Sequence, residues 1–503
     1  MSTETAPVSD AYDELLERYE RYSTVQSAGG VLSWDQQVTM PEGGTPARTK
    51  QQSVLSSMGH ELITDEKVAE LLAEIEEAEL SGEQSAVVRE IQRTHERAAK
   101  VPQELVEEIS ETASEALTAW ESAKEVDDFS EFAPYLQTHV ELKREYAAEI
   151  DPDRDPYAVL MEDYEPCLSL DRVESLLEAV RERLVPLIAE IRDSDASLAV
   201  DTFDGEFPVA DQEVLARETL DTLGYDWDRG RLDTSTHPFT AGNQFDTRIT
   251  TRFDSSDPLG ALGSTIHEFG HAQYNLGLPR EEWGTPLGES RDLSVHESQS
   301  RLWENHVGRS QAFWELFLPQ MKADLPGIED ASVADAYQAA NQVYEDNLIR
   351  VEADELTYHL HVLVRFEIER DLIEGDLSVE DVPQEWNDKY EQYLGIRPES
   401  NAEGCLQDIH WSHGNFGYFP TYTLGSVMAA QLHAAAERDI DGLSETVADG
   451  DFQPLHEWLS ANVHQYGARF ETNELVKQAT GEEFVADHFL NYVETKYSDL
   501  YDL

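Results

Sequence analysis

The chain has 503 residues, with 36 Lys and Arg against 103 Asp and Glu, for a net charge of −67. An acidic excess this large excludes the nucleic-acid-binding classes, whose phosphate ligands need a cationic surface, and 40% hydrophobic residues with 9 Trp, 20 Tyr and 17 Phe exclude a disordered chain. Self-repulsion at this charge is relieved at molar salt, where the Debye length shrinks to about 3 Å, so the composition reads as that of a halophilic, cytoplasmic protein.

The N-terminus, MSTETAPVSDAYDELLERYERY, has no basic n-region followed by an apolar h-region, so no secretory signal is expected. Helical spacing begins in that segment and returns in VAELLAEIEEAEL, VESLLEAVRERLVPLIAEI and LIRVEADELTYHLHVLVRFEIERDLI. Between about residues 230 and 253, THPFTAGNQFDTRITTRF alternates Thr, Ile and Phe and is broken by Pro238 and Gly242, which predicts short strands and turns. DPLGALGSTIHEFGHAQYNLGL follows, with Leu259, Leu262, Ile266 and Phe269 at helical spacing, predicting a helix over about 256–277. SVHESQSRLWENHVG predicts a second helix, and IHWSHGNFGYFPTYTLG is an aromatic-rich stretch further on. No run of about 18 apolar residues exists, so no membrane span is expected. Cys167 and Cys405 lie far apart and read as small buried hydrophobes, with no thiolate metal site or disulfide framework. Length alone suggests about three domains. With no repeat, low-complexity tract or long linker, the expectation is instead a single catalytic domain over 1–503, mostly α, with one small β-sheet.

His267 and His271 stand four residues apart, so both imidazoles leave one helix face, where two nitrogens can reach one ion at about 2.0–2.1 Å. Glu268 lies about 100° around the axis from His267, suited to act on water as a general base. With 16 His in the chain, chance predicts only about 0.05 such HExxH motifs. Gly260, Gly263 and Ser264 are small on or near that face and would let another segment approach closely. A catalytic site needs a third ligand and one open position. Glu297, 26 residues beyond His271, is the candidate if the two helices pack against each other, with Glu304, His296 and Glu289 as rivals.

These blocks resemble the carboxypeptidase Taq family of thermostable metallocarboxypeptidases. HPF at 237–239, DTRIT at 246–250, HEFGH at 267–271, HESQSRLWEN from His296, IRVEAD from Ile349 and GCLQDIHW from Gly404 are similar to that family's signature blocks, in the same order. LSWDQQVTMPEGGTPARTKQQ from Leu32 extends the likeness over nearly the whole chain. The resemblance implies a large helical, neurolysin-like fold with a deep active-site groove, one Zn2+ per chain held by His267, His271 and Glu297, and a homodimer. His2Glu geometry alone does not choose between Zn2+ and Co2+. One departure stands out. Four residues after Glu297 is Arg301, where thermolysin-like sites carry an Asp that orients a ligand histidine, so the outer partners required by the histidines must come from elsewhere.

The implied reaction is hydrolysis of the C-terminal peptide bond by metal-activated water, with peptides as substrates. An oxyanion needs a donor, and the late aromatic segment offers His410, His413, Tyr418 and Tyr422, of which His410, Tyr418 and Tyr422 match the place of such donors in the wider fold class. Capture of a terminal carboxylate calls for arginine. Arg350 of IRVEAD is the first candidate, an i,i+4 pair with Asp354 being the plain alternative. Arg248 of DTRIT is the second, and His237 is placed at a neighbouring subsite. Two other functions remain open, a metallo-oligopeptidase cutting inside short peptides and a helical scaffold with a structural metal or none.

Overall fold

A computed structural model describes residues 6–76, 78–344 and 346–503. Helices dominate it, as the spacing predicts, and among the described residues the only sheet has three strands. The N-terminal helices Ala6–Val38, Thr45–Ile63, Glu66–Ile75 and Gly82–Lys100 share a small core of their own, built from Leu15, Tyr19, Ile63, Leu71, Val87 and Ile91. The remaining helices enclose one large core in which Trp303, Trp314, Trp386 and Phe269 are fully buried. Between the two lies a cavity of about 160 Å³, lined by Tyr19, Glu90 and Arg93 on one side and by Tyr164, Glu289 and Arg291 on the other. Both cysteines are free, Cys405 buried and Cys167 only half-buried. Among the described residues no helix is long and apolar enough to cross a membrane.

The sheet falls where expected. β1 (Gly230–Thr234) pairs parallel with β3 (Thr247–Thr251), and β2 (Thr240–Gly242) pairs antiparallel with β3 on its other side. Gly242, at φ 138°, makes the tight β2–β3 turn possible, since a Cβ there would lie 1.9 Å from the Asp246 carbonyl oxygen. Asp257 then caps the next helix, its Oδ1 accepting from the Gly260 N–H at 2.8 Å, and Pro258 occupies the first turn. That helix, Pro258–Gly277, carries the HEFGH motif. It is seated on β3 through Thr251, whose hydroxyl lies 2.9 Å from that of Ser264 and 3.2 Å from that of Thr265.

Two expectations about helices need correction. The segment from Ser294 is not uniformly α-helical: an α-helix, Leu293–Arg301, passes into a π-helical turn, Leu302–Gly308, a widening common at functional sites. The helical spacing read from Leu348 onward begins too early. Residues Arg350–Glu352 form a 3-10 turn, and the helix is Thr357–Glu374. Asp354 sets its start, with Oδ1 accepting from the Leu356 and Thr357 N–H groups and Oδ2 from the Thr357 hydroxyl.

Close approach occurs inside the motif, not at Gly260 or Gly263. A Cβ at Gly263 would meet nothing within 4 Å and one at Gly260 only its own cap, Asp257. At Gly270 it would fall 2.5 Å from both the Gln299 carbonyl oxygen and the Ser300 Cα. Gly425, in the helix Pro420–Asp439, does the same on the other side, where a Cβ would lie 2.4 Å from the Glu297 Cγ. Leu293–Arg301 is thus clamped between two helices that meet it at glycines. Gly270→Ala should therefore be destabilising despite a helix-propensity gain of about 1 kcal/mol. The atoms in the way are backbone, so overpacking of about 1–3 kcal/mol wins. Thermal unfolding with a parallel metal titration checks this, and an unchanged midpoint and affinity would refute it.

Candidate metal centre and its surroundings

The pairing of the two central helices fixes their direction. His267 meets Glu304, Gly270 meets Ser300 and Tyr274 meets His296, so the chains run in opposite senses. This brings His267, His271 and Glu297 together, with one donor atom from each lying within 4.8 Å of the others. Glu297 Oε2 is 3.7 Å from His267 Nε2 and 3.4 Å from His271 Nε2. Ligands about 2.0–2.1 Å from a tetrahedral ion sit about 3.3–3.4 Å apart, so the spacing suits a bound ion better than a direct hydrogen bond.

The outer faces of both rings are already tied. His267 Nδ1 lies 2.8 Å from Glu304 Oε2, and His271 Nδ1 lies 3.0 Å from the His296 carbonyl oxygen. A carbonyl only accepts, so His271 Nδ1 carries the proton and its Nε2 presents a lone pair inward. Burial would push the Glu304 carboxyl up, but Arg301, the His267 ring and Arg309 outweigh it and hold it well below the usual range, so it too acts as an acceptor and the same tautomer follows for His267. Glu304 is thus the outer partner missing from position 301, seven residues and about two turns beyond Glu297. Glu297 divides its carboxylate: Oε1 accepts from Arg301 Nε at 2.7 Å, while Oε2 faces the two imidazoles and has only a long 3.2 Å contact from the Ser300 hydroxyl, which donates mainly to the Glu297 carbonyl oxygen at 2.6 Å. Burial opposes its ionisation as well, and Arg301 with the two imidazoles holds it well below the ordinary carboxylate range.

The rivals for the third position are placed elsewhere. Glu304 sits behind His267. His296 stacks on His271 with ring centroids 4.4 Å apart, its Nε2 3.0 Å from Asn275 Oδ1. Glu289 faces the cavity beside the N-terminal helices and accepts from the Tyr19 and Ser23 hydroxyls at 2.9 and 3.3 Å. Glu268, which follows His267 on the motif helix, is buried, and its Oε2 accepts from the Thr240 hydroxyl of β2 at 2.7 Å.

The late aromatic segment is gathered close by. Tyr418 precedes the helix Pro420–Asp439, Tyr422 lies in its first turn, and their rings meet at 5.2 Å one turn before Gly425 packs on Glu297. Burial raises the pKa of both phenols, keeping them protonated donors. His410, in the 3-10 turn His410–His413, packs on Tyr418 and Phe419, and burial pushes its pKa down to about 4. His413 is exposed. Two fully buried carboxyl groups that sequence reading did not single out hold this segment. Glu369 accepts from the Trp411 indole at 2.8 Å and the Gly417 N–H at 3.1 Å. Glu165 accepts from the Ser294 N–H, the Ser294 hydroxyl and the Thr421 hydroxyl at 2.7, 2.6 and 2.9 Å. Burial pushes each up to about 8.

Arg350 is not paired with Asp354, which is occupied in capping its helix. Its Nε and Nη2 donate to Asp408 Oδ1 at 3.1 and 2.8 Å and its Nη1 to the Tyr358 hydroxyl at 3.0 Å. Three of a guanidinium's five N–H groups are so used, and two are left. Asp408 Oδ2 is held from behind by the fully buried Arg365. The Tyr422 ring lies 5.2 Å from the Arg350 guanidinium, so the arginine and the tyrosines form one cluster. Arg248 stands apart from it, forked onto Asp246 at 2.9 and 2.6 Å and stacked 4.2 Å over Trp34. His237 is exposed between β1 and β2, and its side chain makes no hydrogen bond among the described residues.

The family profile described as Carboxypeptidase Taq (M32) metallopeptidase matches residues 14–497. A protein named Thermostable carboxypeptidase 1 from Thermus thermophilus is 40% identical over 98% of this chain and 99% of its own. The crystal structure of an M32 carboxypeptidase from Deinococcus radiodurans superposes with a TM-score of 0.94 at 37% identity, covering 98% of this chain and 100% of that one. A carboxypeptidase structure from Pyrococcus furiosus superposes with a TM-score of 0.93 at 37% identity, over 99% of each chain.

Proposed function

Given that the chain belongs to the carboxypeptidase Taq (M32) metallopeptidase family and is a metal-dependent carboxypeptidase, we propose that His267, His271 and Glu297 hold its single ion, a Zn2+ or Co2+. The observation that carries this reading is the convergence of His267 Nε2 and His271 Nε2 on Glu297 Oε2 at 3.7 and 3.4 Å, near the edge length of a tetrahedral ligand set. A divalent ion in that position supplies Lewis acidity, lowering the pKa of water and polarising the scissile carbonyl. Glu268, oriented by Thr240, takes the proton of the attacking water and passes it to the departing amine. Tyr418, Tyr422 and His410 supply donors for the oxyanion, the two phenols retaining their protons through neutral pH. Arg350 pairs end-on with the terminal carboxylate through its two remaining N–H groups, which selects the free C-terminus.

Arg248, in β3, is the second arginine for the substrate carboxylate, and His237, beside the same sheet, lines the neighbouring subsite. The substrates are peptides of broad sequence, and a single catalytic domain spans the chain. The charge of −67 supports a salt-adapted, cytoplasmic enzyme, and the family resemblance supports a homodimer.

One unmodified peptide followed by time-resolved mass spectrometry, with and without chelator, tests the reading. The expected result is a ladder shortening from the C-terminus that chelator abolishes and added Zn2+ or Co2+ restores. Internal fragments appearing first, or a ladder indifferent to chelator, would overturn it.

A further inference from the structure

One aromatic ring stands between the proposed ligand cluster and Arg350. Tyr358 is buried in the first turn of the helix Thr357–Glu374. The Arg301 guanidinium lies 4.7 Å from its ring centroid, and its hydroxyl accepts from Arg350 Nη1 at 3.0 Å. Arg301 in turn donates to Glu297 Oε1, while Arg350 donates to Asp408. A continuous series of contacts therefore runs Glu297, Arg301, Tyr358, Arg350, Asp408. Both ends of the Tyr358 side chain are fixed. Asp354 caps the turn from which it springs, its carbonyl oxygen accepting the Tyr358 N–H at 3.1 Å, and the Tyr422 ring meets Tyr358 edge-on at 5.8 Å.

We propose that Tyr358 is a positioning residue that sets the distance between the metal centre and the carboxylate anchor, and thereby restricts release to one residue at a time. The inference rests on the reading of Arg350 as that anchor. Two guanidinium groups beside one another repel. A phenol separates them while satisfying both, offering its π-face to Arg301 and its oxygen to Arg350. The register of an exopeptidase is the span from anchor to metal, and an extended peptide advances about 3.3–3.6 Å per residue. An anchor free to move by a comparable amount accepts a second register, in which two residues lie beyond the scissile bond.

The test compares wild type, Tyr358→Phe, Tyr358→Leu and Arg350→Ala on an N-blocked hexapeptide and its C-terminal amide. Released species, kcat, KM, metal content and thermal midpoint are measured for each. Tyr358→Phe removes only the oxygen that accepts from Arg350 and should raise KM for the free acid about tenfold, the worth of one charge-assisted hydrogen bond, with kcat and metal content little changed. Tyr358→Leu also removes the ring and should release dipeptides alongside single residues. Single-residue release with a wild-type KM in both variants overturns the proposal, as does loss of activity that follows loss of metal. Should Tyr358→Leu unfold, its thermal midpoint reports it and the KM of Tyr358→Phe decides. If wild type and Arg350→Ala cleave acid and amide alike, the anchor reading itself fails. If Arg350→Ala loses its preference for the acid while the Tyr358 variants keep the wild-type KM and register, only the spacer role falls.

Discussion

Glu268→Gln is expected to lower kcat by about 10²–10⁴, the range spanned by a positioned general base, while KM, metal content and thermal midpoint stay near wild type. The substitution is close to isosteric. Glu268 is 5% exposed, and its Oε2 accepts one hydrogen bond, from the Thr240 hydroxyl at 2.7 Å. A glutamine keeps an oxygen able to accept that bond, so β2 and the motif helix stay joined. The ability to take up and return a proton is what disappears. Steady-state kinetics on the free-acid hexapeptide, with metal counted per chain, decide the matter. Turnover within a factor of about three of wild type would remove Glu268 from the chemistry.

The helix bearing HEFGH and the β-region before it were legible in the sequence because both rest on local signals. Asp257 and Pro258 mark the helix start, Leu262, Ile266 and Phe269 mark its buried face, and Pro238 and Gly242 punctuate the strands. Glu297 could be named only as one of four carboxylate or imidazole candidates, since choosing among them requires knowing how two helices cross. The glycine that fixes that crossing, Gly270, sits between the two histidines. Its sterics depend on Gln299 and Ser300, far away in sequence. Glu304 had a faint local signal, seven residues from Glu297 on the same helix face, which is enough to suspect a shared site and too little to separate ligand from outer partner. The start of the helix at Thr357 was invisible to periodicity, because apolar residues continue at helical spacing through the 3-10 turn that presents Arg350. Asp408, Arg365 and Tyr358 took no part in the sequence reading for a related reason: their roles are pairwise contacts across 43 to 58 residues or through a single ring. Glu165 and Glu369 are ordinary acids in a chain with 103 of them until burial and three donors each distinguish them.

Glu297→Ala and Glu304→Gln should rank in that order for metal retention, and the ranking separates ligand from outer partner. Removing Glu297 takes away one of three donors and leaves two imidazoles, so affinity should fall by more than the 10–100-fold that loss of an outer partner costs. It also breaks a buried pair. Arg301, whose side chain is 13% exposed, loses its 2.7 Å partner and keeps only Glu304 at 3.2 Å. The metal-free protein should therefore lose stability toward the lower end of the about 3–5 kcal/mol typical of an uncompensated buried charge. Glu304→Gln retains an oxygen for His267 Nδ1 but removes the negative charge shared by His267, Arg301 and Arg309. The ring is then held by a neutral acceptor or turned away, and affinity should fall by about 10–100-fold with a smaller change in stability. Isothermal titration with Zn2+, paired with thermal unfolding of the apo-proteins, measures both quantities. Wild-type affinity in Glu297→Ala would show that the third donor is another group. An equal loss in the two variants would mean that Glu304 itself reaches the ion, which the 2.8 Å contact with His267 Nδ1 argues against.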